Sequence, residues 1–328
     1  MRQRAGFTKP RFLAILSYPM QTALSIEAPC KINLHLRVKD RRSDGFHELE
    51  SIFLALAFGD TLHFEFGEAD EFLVEDKRPR LDGLPYGEIP QEVNIVLKAL
   101  NLFRTVSGFN RPLRIRLEKR IPLGAGLGGG SSDGASTLLA LNELAGTPFD
   151  GNRLQQAAAE LGSDVPFFLY RGGAAHVTGR GEYIRPIEGP PDFTAVLVNP
   201  GFPSDTTEAF RLLDAHRDGN FCEETENSGK TLVEALKGPP SQWPYGNDFL
   251  ELFLERGSSA VIAAYRAILG DLQAQGADFC GLTGSGSTCF GIFTQGGAAE
   301  KAEKSLTKPG VFTLRTFPLA RLANRVLI

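Results

Sequence analysis

One stretch of the chain reads Pro122-Leu123-Gly124-Ala125-Gly126-Leu127-Gly128-Gly129-Gly130-Ser131-Ser132, and its neighbours on both sides are strongly patterned. Just before it, Leu113, Ile115, Leu117, Lys119 and Ile121 alternate with Arg114, Arg116, Glu118 and Arg120, the period of a strand with one wet face. Just after it, an Ala- and Leu-rich run to about Ala145 reads as helix. Glycines let backbone N–H groups turn inward with no side chain in the way, which makes an anion-binding concavity. The following helix adds its positive end, and the serines add hydroxyl donors. The stretch is therefore predicted to bind phosphate, and a triphosphate suits it.

Three other readings compete with this one. A Walker A loop ends in Gly-Lys-Ser/Thr, and no lysine stands here. Gly124, Gly126 and Gly129 formally match a dinucleotide-binding G-x-G-x-x-G, but the preceding strand is amphipathic rather than buried and parallel. A flexible linker does not fit glycines held tightly between two strong elements.

Working outward, 328 residues predict about two domains, and 42% hydrophobic content supplies a real core. Lys and Arg number 35 against 39 Asp and Glu, which argues against a general nucleic-acid-binding role and makes any phosphate contact local. Cys30, Cys222, Cys280 and Cys289 form no C-x-x-C pair, so neither a zinc site nor a disulfide scaffold is indicated and a reducing, cytoplasmic location is expected. No run approaches the roughly 20 apolar residues of a membrane-spanning helix. Residues 1–24 read as a loose N-terminal extension, with Met20 a candidate initiator.

From Ser25 the pattern is regular. Ile32, Leu34, Leu36 and Val38 alternate with Lys31, Asn33, His35 and Arg37, so Lys31 and Asn33 share the polar face of one strand. Strands are expected over 48–56 and 60–66, little regular structure over 70–90, and a helix from Val93 to Phe103 that Gly108 stops. Asn152 is expected to cap a helix ending at Leu161, with strands at 165–170 and 174–177 beyond it. A domain boundary is placed near residue 190. The second half is predicted to hold strands at 194–198, 277–282, 289–293 and 311–317, with helices at 206–213, 258–273 and after Gly297. Residues 215–246 read as mostly surface loop. This alternation without strict β-α-β regularity is α+β.

Pro122 through Ser132 resembles the phosphate-binding motif of the GHMP kinases, the galactose, homoserine, mevalonate and phosphomevalonate kinase family. Ala28-Pro29-Cys30-Lys31-Ile32-Asn33-Leu34 is similar to that family's N-terminal motif, and Gly281-Leu282-Thr283-Gly284-Ser285-Gly286-Ser287 to its C-terminal glycine motif. Residues 42–47, 161–168 and 199–201 narrow the resemblance to a branch that phosphorylates a cytidine-diphosphate-linked methylerythritol. The resemblance runs from about Ser25 to Phe317 and leaves 215–246 and the N-terminal tail uncovered. It implies a two-domain fold, with a ribosomal S5 domain 2-like first domain (25–190) and a ferredoxin-like second domain (191–328), and the active site between them. It also implies a small-molecule kinase, monomeric or weakly dimeric, using ATP with Mg2+ and acting on neither nucleic acid nor membrane.

By that resemblance Asp164 is the catalytic base and Lys31 its partner. Pro122, Gly124, Gly126, Leu127, Gly128, Gly129, Gly130, Ser131 and Ser132 hold ATP, and Asn94 contacts the nucleotide base. Phe46 and His47 resemble a cytosine-binding pair in which the usual tyrosine is Phe46, with Phe210 on the opposite face and Thr206 nearby. Asn33 is expected at the erythritol portion, and Gly284 and Ser285 at the substrate diphosphate. Taken alone, Asp164 reads better as a helix-terminating turn residue, and a cap explains Asn94 nearly as well as a base contact. Helix-borne Thr206 and Phe210 stand at even odds between substrate contact and ordinary cap and core. No acidic cluster marks a protein metal site, and His63, His176 and His216 have no assigned role.

Overall fold

A computed structural model describes residues 22–78, 93–170, 172–188, 192–217 and 228–322. The long alternation after Ser25 becomes β1 (Ala23–Arg41), which pairs antiparallel with β2 (His47–Phe66) across a turn at Asp44-Gly45. The two strands expected over 48–66 are therefore one. It is long enough to pair with β1 along one edge and with two partners in succession along the other.

Those partners are β4 (Leu113–Lys119), beside the end of β2, and β5 (Ala174–Gly179), beside its start. β3 (Glu71–Asp76) runs parallel to β4, and β6 (Tyr183–Ile187) closes the other edge. Neither edge strand is legible in the sequence. β3 has only six residues with a half-wet pattern, and β6 carries Pro186, which an edge tolerates.

Four helices lie on this sheet: α1 (Ile95–Ser107), α2 (Gly129–Leu144), α3 (Gly151–Leu161) and α4 (Val165–Leu169). Gly108 ends α1 in the left-handed conformation. The cap of α3 is Asp150, whose carboxylate accepts from Arg153 N; Asn152 lies inside the helix. Residues 165–169 are helical rather than extended, because Pro166 near the N-terminus suits a helix start and a five-residue apolar run carries no period to oppose it.

A second, wholly antiparallel sheet has the order β10-β7-β9-β8, from β7 (Thr194–Asn199), β8 (Phe279–Leu282), β9 (Cys289–Phe293) and β10 (Phe312–Thr316). Its helices are α5 (Thr206–Arg217), α6 (Ser228–Ala235), α7 (Asp248–Arg256), α8 (Ser259–Ala274) and α9 (Gly296–Leu306). The segment expected as surface loop at 215–246 contains α6 and sends Leu232, Leu236, Trp243 and Tyr245 into the interior. The boundary expected near 190 and the candidate start at Met20 lie outside the described residues.

Three apolar clusters follow. One lies between the first sheet and its helices, and one between the second sheet and its helices. The third joins the sheets, with Ile32 and Leu34 of β1 against Leu197 of β7 and Phe290 of β9. A bulge between Asn33 and His35 turns His35 toward Tyr245 of this joint, whereas Lys31 and Asn33 are left on the other face of β1, buried and polar. The cleft opens there.

Candidate active site

The first glycine loop leaves β4 at Lys119 and enters α2 at Gly129. Gly128, the residue capping α2, has φ +69°, and a Cβ there would meet Lys31 Cγ at 2.9 Å. Only glycine allows that backbone to lie on the lysine. Lys31 N in turn donates to Leu127 O at 2.9 Å, which fixes loop and strand together.

The second glycine loop locks against the first. Thr283 Oγ1 donates to Gly126 O at 3.0 Å, Thr288 N to Ala125 O at 3.2 Å, and Ser204 N to Gly124 O at 2.9 Å. Asn33 is the hub of this contact. Its Oδ1 accepts from Lys31 Nζ at 2.6 Å and Gly284 N at 2.9 Å and lies 3.2 Å from Thr283 Oγ1, while its Nδ2 donates to Ser51 Oγ at 2.9 Å. Asn33 lines the cleft while its side chain also ties the two loops together, a structural role that the sequence pattern does not reveal.

Lys31 is buried, its ammonium 3.4 Å from Asp164 Oδ2 and 4.8 Å from the centre of the Phe53 ring. Asp164 begins α4 without capping it, so its carboxylate is free of the helix and turned to the cleft. A cleft of 410 Å³ is lined by Lys31, Asp164, Gly124–Ser131, Thr206, Phe210 and Ser285. That volume is in the range of small-molecule sites.

Some expected residues lie elsewhere. Asn94 caps α1, its side chain accepting from Val96 N at 2.9 Å. Ser132 is buried in α2 behind the loop. Phe46 points outward, half exposed, with the Arg180 guanidinium 4.9 Å over its ring. His47 lies outside the cleft wall, stacked on Phe210 at 5.1 Å and bonded through Nε2 to Asp214 Oδ1 at 2.7 Å. Thr206 Oγ1 and Ser285 Oγ are 2.9 Å apart.

The sequence reading missed Asp214, Phe53 and Asn247, whose Nδ2 donates to Leu282 O at 2.7 Å and Gly284 O at 3.0 Å, supporting the second glycine loop. Asp214 had a signal, since Thr206, Phe210 and Asp214 stand four apart on one helix face. Among the described residues no group of three or more His, Cys, Asp or Glu side chains is placed to hold a metal ion. No helix among them is long and apolar enough to cross a membrane.

Known proteins share this arrangement. Residues 94–172 match the model for the GHMP kinases N terminal domain, and residues 243–311 that for the GHMP kinases C terminal. A 4-diphosphocytidyl-2-C-methyl-D-erythritol kinase of Protochlamydia amoebophila is 36% identical over 271 residues, 82% of this chain and 84% of that protein. The chain belongs to the GHMP kinase family. A second enzyme of the same name, from Syntrophotalea carbinolica, is also 36% identical, covering 86% of this kinase and 94% of its own length. A crystal structure of 4-(cytidine 5'-diphospho)-2C-methyl-D-erythritol kinase superposes with a TM-score of 0.69 at 32% identity, over 90% of this kinase and 99% of that chain. Homoserine kinase from Cytophaga hutchinsonii, 18% identical with a TM-score of 0.64, shares the fold. The kinase is α+β, as the sequence implies, and GHMP kinases use ATP.

Proposed function

We propose that this kinase transfers the γ-phosphoryl group of ATP to the 2-hydroxyl of 4-diphosphocytidyl-2-C-methyl-D-erythritol, giving the 2-phosphate, in the non-mevalonate isoprenoid pathway. The observation that carries the chemistry is the Lys31–Asp164 pair facing the glycine loop at the N-terminus of α2. The substrate follows from the names of the relatives.

Phosphoryl transfer is mainly positioning and charge stabilisation. Backbone N–H groups of Gly124–Gly130 and the end of α2 face the phosphates. Asp164 takes the hydroxyl proton as the acceptor oxygen bonds to phosphorus and ADP leaves. Lys31 holds the carboxylate in place and offsets charge developing on the transferring oxygens. Mg2+ brought in with the nucleotide would supply further charge neutralisation on the phosphates. At the far end of the cleft Phe210 offers a ring face for the pyrimidine. His47 and Phe46 serve that base once it separates His47 from Phe210.

ADP release, measured with purified protein over cytidine-diphosphate-linked, free polyol, mevalonate, homoserine and sugar acceptors, tests this. Release with the cytidine-diphosphate-linked acceptor is expected. Release only with mevalonate, homoserine or a sugar would reassign the enzyme within its family.

A further inference from the structure

A buried ionic cluster lies directly beneath the phosphate-binding loop. Lys119 Nζ donates to Asp60 Oδ2 at 2.5 Å and to Asp133 Oδ2 at 2.6 Å, and all three side chains are buried. Lys119 is the last residue before the loop, and Asp133 lies in the first turns of the helix after it. Their bond closes the base of the loop like a clasp. Asp60 fixes the entry side, because its Oδ1 accepts from Arg120 N at 2.5 Å and Ile121 N at 2.9 Å. On the exit side Gly129 presses on the same lysine, since a Cβ there would lie 3.2 Å from Lys119 Nζ.

Folding alone does not explain Asp133. Asp60 already balances the lysine, so Asp133 adds a second buried carboxylate to a single ammonium. Its Oδ1 has no hydrogen-bond partner. Burial and the nearby Asp60 push its carboxyl well above the ordinary range, with Lys119 opposing them. Burying such a group costs stability, and without it Asp60 would still balance Lys119, so its removal leaves no uncompensated buried charge. Lys119 lines the cleft, but the two carboxylates hold two of its three N–H donors, so direct phosphate contact by Lys119 does not account for Asp133. What Asp133 does achieve is to hold the exit of the loop to its entry across 14 residues.

We propose that Asp133 is a positioning residue: through Lys119 it sets the geometry in which the backbone donors of the glycine loop meet the nucleotide phosphates. A loop whose donors are set in advance loses less freedom when it binds. This role concerns ATP and is independent of which acceptor the kinase uses.

The test is ATP titration of the full-length Asp133→Ala, Asp133→Asn and Lys119→Met variants by calorimetry, with thermal unfolding in parallel. Asp133→Ala is expected to weaken ATP binding by about tenfold or more through the lost preorganisation, while its Tm stays level or rises. Asp133→Asn keeps an oxygen that accepts from Lys119 and is expected to stay within about threefold of the parent. Lys119→Met breaks the same clasp and is expected to weaken ATP binding too. The proposal is overturned by parent-like ATP affinity in Asp133→Ala. Tighter binding there would overturn it as well, because it would mean that Asp133 withholds Lys119 from the phosphate. A Tm drop or misfolding in Asp133→Ala would make Asp133 a stabilising residue and refute the argument equally.

Discussion

Gly126→Ala is the sharpest probe of how the two glycine loops are fitted together. An added Cβ would lie 2.1 Å from Thr283 O and 2.9 Å from Gly286 O, both backbone atoms. Ordinary contact needs about 3.5 Å, so the loops must part by roughly 1 Å or more. Overpacking of this kind costs about 1–3 kcal/mol, and the left-handed conformation adds about 1–2 kcal/mol for a non-glycine residue. Gly146→Ala separates the two effects. Gly146 has φ +76°, close to the +74° of Gly126, but nothing lies within 4 Å of its added Cβ. Gly146→Ala should therefore show only the conformational cost, and Gly126→Ala that cost plus the clash. Urea unfolding of both variants measures the difference, and steady-state kinetics should show raised KM in Gly126→Ala alone. If the two variants unfold within about 0.5 kcal/mol of each other and both keep parent KM values, the tight docking of the loops is refuted.

Further tests address the chemistry and its surroundings. Lys31→Met and Asp164→Asn should each lower kcat by at least about 10²-fold, the lower range for a positioned acid–base group; near-normal turnover at saturating substrate would remove that residue from the mechanism. His35 supplies a pH test. Burial, aided by Arg37, holds its imidazole down at about 4 against an ordinary 6.5. Between those values the unfolded chain binds a proton that the folded chain lacks, so stability is full above about pH 6.5 and falls as pH drops toward 4. The loss is about 3 kcal/mol from this group, and His35→Gln should flatten the slope of the urea midpoint over that window. An unchanged slope in that variant would assign the acid sensitivity elsewhere.

The parts of the site that were legible in the sequence are those encoded by local geometry. Glycines between a strand and a helix have few uses, and period two put Lys31 and Asn33 on one face before any contact was known. Asp164 was legible only through its motif, because a carboxylate at a helix start is ordinarily a cap. What stayed hidden depends on partners distant in the chain. Lys119 reads as one more charge on an alternating strand, and its two carboxylates are 59 and 14 residues away. Helix α4 was hidden for a different reason, since Val165-Pro166-Phe167-Phe168-Leu169 is apolar at every position and so has no period. Leu232 of α6 and Leu236 just past its end carry a one-turn spacing that the surrounding polar residues conceal.

Asn33 shows why this cleft cannot belong to either half alone. Its backbone N donates to Thr283 Oγ1 at 3.0 Å, and its side chain links Lys31 to Gly284, 251 residues further on. The same Thr283 hydroxyl reaches Gly126 O, so one cluster of hydrogen bonds joins Lys31, the first glycine loop and the second. Most of this cluster is buried, and an unmade bond within it would leave polar atoms away from water at about 1–3 kcal/mol each. The arrangement is therefore cooperative: Lys31 is held against Asp164 only when the two sheets have already closed on Ile32, Leu34, Leu197 and Phe290. Apolar packing between the sheets on one face of β1 thus sets the position of the charged pair on its other face.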